Sequence, residues 1–107
     1  MTLRQRQSRF TFFVGKLILK AYELGYELTH GCAYHVPCPK CGAYEHAEVS
    51  WHKDRLAIDL NLFKDGRYLT STKAHRELGE YWESLDPECS WGGRFNDGNH
   101  YSFGEGR

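Results

Sequence analysis

Two stretches of this sequence carry side chains that could do chemistry together. One is Ser50-Trp51-His52-Lys53-Asp54-Arg55-Leu56-Ala57-Ile58-Asp59-Leu60-Asn61-Leu62-Phe63, and the other is Trp91-Gly92-Gly93-Arg94-Phe95-Asn96-Asp97-Gly98-Asn99-His100. His52, Asp59 and His100 are ligand types that borderline-soft zinc accepts, and three of them leave a fourth position for water. Asp97, three residues before His100, is close enough to act as a base at the same centre. Spacing alone leaves a second reading open. Six histidines in 107 residues make chance His/Asp combinations common. In that reading Asp59 is a polar residue on the wet face of a sheet, and His52 and His100 are ordinary loop histidines.

These residues need elements to hold them. From Ala57 onward small or polar residues (Ala57, Asp59, Asn61) alternate with apolar ones (Ile58, Leu60, Leu62). That is the period of a strand with one face in the core, and it puts Asp59 on the other face. His52 falls in a preceding loop that can fold back over the strand end. Asp97-Gly98-Asn99 is turn-like and His100-Tyr101-Ser102 can re-enter as a strand, with Gly98 easing the bend that lets Asp97 and His100 converge. Lys64-Asp65-Gly66-Arg67 carries the Asp-Gly signature of a tight turn, with Tyr68 to Thr70 returning as the partner strand.

Upstream, Ser8 can cap a helix over Phe10 to Leu24 that places Phe10, Phe13, Val14, Leu17, Ile18, Ala21 and Leu24 on one face, a core stripe. Gly25 stops it, and Tyr26 to Thr29 reads as a short strand. Ser71 or Thr72 can cap a second helix over Ala74 to Leu85, with Leu78, Tyr81, Trp82 and Leu85 facing inward and Pro87 marking its end. Glu77, Glu80 and Glu83 are expected on its solvated face, and His75 is expected to be structural or solvent-facing. Trp91 and Phe95 supply apolar anchors around the paired glycines Gly92 and Gly93.

The segment from His30 to Val49 is loop-like and rich in ligand types. Cys38-Pro-Lys-Cys41 could hold a structural zinc with two of His30, Cys32, His35 and His46. A redox pair, or two free cysteines around a proline turn, are the other readings. Without a convincing export signal, reduced thiols or thiolate ligands are expected for all four cysteines, Cys89 included.

One domain spanning residues 1–107 is expected, with its core over about residues 9–102. The net charge is zero, which gives no reason to expect a nucleic-acid partner. Met1 to Lys20 holds five basic residues and no acidic one, so this arm either attracts an anionic envelope polymer or is simply a solvated terminus. No stretch approaches a membrane span. The arginine-rich start lacks the clean apolar core and small-residue cleavage site of a signal peptide. The expected product is a monomer, cytoplasmic on synthesis, that would need delivery across the membrane to reach a cell-wall substrate.

The pattern Ser50-x-His52-x-x-Arg55-Leu56-Ala57-x-Asp59-Leu60, followed by Trp91-Gly92-Gly93-x-Phe95 and then Asp97-x-x-His100, resembles the zinc D-Ala-D-Ala carboxypeptidase and L-alanyl-D-glutamate endopeptidase family, in particular its small bacteriophage endolysin-type members. The likeness runs over roughly Arg9 to Tyr101. It implies a small α+β domain with a short antiparallel sheet, two main helices and a zinc site at the sheet edge. It also implies zinc (Zn2+) held by His52, Asp59 and His100, Asp97 as general base, and hydrolysis of peptidoglycan stem peptides, in keeping with phage-type host lysis. The family usually carries Tyr-Arg after its first strand, where the arginine grips substrate and stabilises the oxyanion. Here the matching pair is Tyr34-His35. A histidine donates less and is cationic only when protonated. Oxyanion stabilisation therefore falls to His35, to Arg94 or to Arg55, or this copy is a catalytically impaired peptidoglycan binder. A zinc-stabilised adaptor held together by Cys38 and Cys41 is the remaining class.

Overall fold

A computed structural model describes residues 1–31 and 56–104. His35, Cys38, Cys41, Ser50, His52 and Arg55 lie outside those residues. Helix α1 runs Leu3–Glu23 and strand β1 Glu27–His30; β2 is Ala57–Lys64 and β3 Arg67–Leu69; helix α2 is Arg76–Leu85; β4 is Cys89–Trp91 and β5 His100–Phe103. The result is a small α+β domain in which two helices pack on one antiparallel sheet.

α1 starts seven residues earlier than its apolar stripe suggests. Thr2, not Ser8, is the N-cap: its hydroxyl accepts from Gln5 N–H while the Gln5 side chain reaches back to Thr2 N–H, a reciprocal capping box. The inward face matches expectation except at Ile18, which is only half-buried: Phe10, Phe13, Leu17 and Ala21 are buried, and Val14 and Leu24 pack against the core. Gly25, at φ 91°, ends the helix in a conformation that favours glycine. The expected basic arm is thus a helix docked through its charges: Arg9 bonds Asp86 at 3.1 Å and Arg6 pairs with Glu88 at 3.6 Å.

β2 is the strand around which the sheet is arranged, in the order β1-β2-β5-β4, with β3 also on β2. Its far half lies between β1, in register Glu27↔Phe63 to His30↔Leu60, and β3, in register Leu62↔Leu69 to Lys64↔Arg67. Its near half pairs with β5, Ala57↔Ser102 to Asp59↔His100. On the side away from β1, β2 therefore passes from one neighbour to another after Asp59. Asp65 and Gly66 both have positive φ, 53° and 78°, as the two central residues of the tight hairpin turn that Asp-Gly predicts.

The expected alternation along β2 holds: Leu60 and Leu62 are fully buried, and Ile58 packs against the core from the same face. Tyr101 and Phe103 of β5 join them beneath Phe10, Phe13, Leu17, Leu78 and Trp82. Trp82 meets Phe10 and Tyr101 edge-on, at 5.8 Å and 5.9 Å between ring centroids. Its indole N–H donates to the carbonyls of both Ser90 and Ser102, tying α2 to the β4–β5 ladder. α2 is preceded by a single 3-10 turn over Lys73–His75, with Thr72 at its N-cap position, and the Ser71 hydroxyl accepts from Ala74 N–H at 3.1 Å.

Candidate functional site

Asp59 and His100 are directly opposite each other on β2 and β5. The Asp59 carbonyl faces the other way and accepts from Gly31 N–H at 2.8 Å. The Asp59–His100 pair is therefore of the non-hydrogen-bonded kind, in which Cα atoms and side chains stand closest. His100 Nδ1 lies 3.1 Å from Asp59 Oδ1, with the imidazole 9% and the carboxylate 20% exposed. Two residues 41 apart in sequence are thus brought into contact on the face away from the helices. The sheet edge was the expected place; both residues instead lie on paired strands inside the sheet, beside the point where β2 changes neighbour. Gly31 is required here, because a Cβ at that position would stand 2.9 Å from the Asp59 Cβ.

Asp97 is exposed and sits on the tight turn leading into β5. Its N–H donates to Gly92 O at 2.9 Å and its carbonyl accepts from His100 N–H at 3.1 Å. The bend that convergence of Asp97 and His100 required is therefore present, and Gly92, Phe95, Asp97 and His100 line one open pocket of about 250 Å³. The glycines shape it by close approach. A Cβ on Gly92 would collide with the Asp97 carbonyl and stand 2.8 Å from the His100 Cβ, and one on Gly98 would stand 2.7 Å from Thr72 Cα. The Trp91 ring lies flat against Gly79 of α2 and against Gly93, leaving no room for a side chain at either, and its indole N–H donates to Gly98 O at 2.7 Å.

Arg94 points into a different partnership. Its Nε donates to Glu83 Oε2 at 3.1 Å and its Nη2 to Oε1 at 2.6 Å, a fork that also holds the loop to α2. The Glu83 carboxylate accepts a further bond from Trp91 N–H, and the Arg94 guanidinium keeps its carboxyl below the usual range despite partial burial. Glu83 is thus a fastener of the site loop, not the solvated residue expected. Among its described residues, the Asp97–His100 pocket is not lined by Arg94. His75 is buried, not solvent-facing, and burial pushes its pKa down. Cys89 is buried and its thiol is pushed up to about 12 by that burial, so it stays a protonated thiol.

Among the described residues no cluster of three or more His, Cys, Asp or Glu is positioned to hold a metal. Asp59 and His100 are the two expected ligands that meet, and His52 lies outside. Their fit to zinc can be judged from distance. Ligands at about 2.0–2.1 Å from a tetrahedral zinc stand about 3.3 Å apart. The 3.1 Å between Nδ1 and Oδ1 is near that value, so the pair could share a zinc after a small opening. No family model, curated protein or solved structure matches the chain.

Proposed function

We propose that this protein is a zinc-dependent peptidase acting on bacterial peptidoglycan stem peptides, of the L-alanyl-D-glutamate endopeptidase or D-alanyl-D-alanine carboxypeptidase type. The observation that carries the reading is the 3.1 Å contact between Asp59 and His100, on the polar face of the sheet, with Asp97 exposed beside His100 in an open pocket. The motif resemblance supplies the substrate class. Bound by His52, Asp59 and His100, zinc would supply Lewis-acid polarisation of the scissile carbonyl and the attacking water.

The chain's own residues do the rest. Asp59 and His100 come preset in contact, so these two ligands need little ordering at the moment of binding. Asp97 takes the proton of the attacking water and hands it to the leaving amine, and its exposed carboxylate on a hydrogen-bonded turn can reach both. Gly92 lets the backbone lie close to Asp97 and His100 in the pocket that an extended peptide would enter. No helix among the described residues is long and apolar enough to cross a membrane.

A second reading draws on the Arg94–Glu83 fork. With Arg94 engaged by Glu83, anionic charge in the transition state is left to His35 or Arg55, and a protein that binds stem peptide without cutting it becomes the rival. Mass spectrometry of bacterial peptidoglycan incubated with zinc-loaded protein separates the two. New amine termini or released D-alanine, reduced by about 10²–10⁴ in Asp97→Asn at equal zinc content, support the peptidase. Intact peptidoglycan that nevertheless retains the protein supports the binder.

A further inference from the structure

A second cavity of about 150 Å³ lies on the other side of Asp97, in the gap between β3 and β5 that opens where β2 changes neighbour. Its lining is polar and includes Asn61, Tyr68, Thr72, His75 and Asp97. His75 is 2% exposed, and its Nδ1 is buried with no hydrogen-bond partner among the described residues. In a neutral ring with its hydrogen on Nε2, the buried Nδ1 is a bare acceptor. Burial keeps the ring neutral. Asn61 is oriented as well: its Nδ2 donates to Thr29 Oγ1 at 3.2 Å, and its Oδ1 accepts from Tyr68 at 3.4 Å. Among the described lining residues the one ionised group is Asp97, and there is no lysine or arginine.

Such a space has a buried acceptor, a nearby negative charge and, among the described residues, no cation. It suits a hydrogen-bond-donating cation and repels a carboxylate or phosphate. Its volume corresponds to about five waters at their liquid share, enough for the end of an alkylammonium chain. We propose that this cavity is a substrate subsite for a primary ammonium, such as a lysine-type side chain of the peptide, with His75 Nδ1 as its principal acceptor. The inference rests on the peptidase reading only for the identity of the peptide. Asp97 borders both this cavity and the pocket with His100, so a peptide lying at the reaction centre would pass the cavity mouth.

The test has two arms. In the first, ¹⁵N-histidine-labelled protein is titrated with n-butylammonium, with n-butanol as the uncharged control. A saturable shift of the His75 Nδ1 resonance with the ammonium alone is expected; no shift, or an equal shift with butanol, overturns the subsite. In the second arm, stem peptides differing only by lysine against norleucine are compared in hydrolysis. The lysine peptide is expected to have a KM lower by about three- to tenfold at similar kcat, the worth of one hydrogen bond. His75→Phe should remove that preference and, should this variant fold poorly, Thr72→Val should reduce it. Equal KM values for the two peptides overturn the subsite. Ammonium binding without cleavage of either peptide would retire the peptidase reading and leave the subsite standing.

Discussion

β2 and β5 present two faces built from alternate residues of the same strands, and the faces do different work. One face, Leu60, Leu62, Tyr101 and Phe103, is sealed under α1 and α2. The other, Asp59, Asn61, His100 and Ser102, holds the polar groups, yet His100 and Ser102 are buried almost as deeply as the core. Depth therefore does not separate structure from chemistry here. Both faces give a buried polar group its partner: His100 has Asp59 at 3.1 Å, and Trp82 on the helical side has two carbonyls.

If the helical face supplies stability and the polar face supplies function, substitutions should divide accordingly. Trp82→Ala should be the most damaging, costing about 3–5 kcal/mol through the cavity and the lost indole bonds, read as a collapse of the denaturant midpoint. Gly79→Ala follows at about 1–3 kcal/mol, because a methyl there meets the Trp91 ring and must displace it; an unchanged melting temperature would show that the ring moves freely. Asp59→Asn should cost less than about 1.5 kcal/mol while lowering zinc affinity by more than the 10–100-fold typical of losing an outer-shell partner. Calorimetric zinc titration beside thermal melts checks this, and zinc affinity equal to wild type would remove Asp59 from the ligand set.

Two smaller effects sharpen the comparison. The Tyr101 hydroxyl is buried without a hydrogen-bond partner among the described residues, and burial raises its pKa. Tyr101→Phe should therefore be neutral or stabilising by up to about 1 kcal/mol, the reverse of the usual sign for a fully buried tyrosine. Glu83 has its pKa depressed by Arg94, so the fork stabilises the fold above the ordinary carboxylate pKa of about 4.3 and is lost as pH falls through the lower folded value. Because Arg94 is largely exposed, solvent screens the contribution. Stability profiles of the wild type and Glu83→Gln should differ at pH 7 and converge as pH falls through the lowered Glu83 value.

Much of this was legible in the sequence wherever a period or a turn signature spoke. The β2 alternation, the Asp65-Gly66 hairpin, the inward stripe of α1 and the Gly25 stop are local signals, and each is realised. The first two turns of α1 were missed because Arg4 to Ser8 form helix well but carry no apolar rhythm; the Thr2…Gln5 capping box was the available sign. β4 is three residues long, too short to show alternation. The Glu83–Arg94 fork and the burial of His75 depend on how α2 docks, which no spacing encodes. The Asp59–His100 contact was anticipated from a motif, whereas its place inside the sheet follows from the strand order, which that motif does not specify.

The change of partner along β2 also orders events in time. The Asp65-Gly66 hairpin closes a two-residue loop and can form within about 1–10 μs, so β2 and β3 can pair before the rest of the chain has arranged itself. The contact of Asp59 with His100 must close a span of 41 residues that includes α2, and long loops pay their entropy before any contact rewards it. Zinc captured by a half-folded chain would find Asp59 without its cross-strand partner. On the peptidase reading, metal loading should thus trail the appearance of helix and hairpin in refolding, and the proposed zinc site should mature after both.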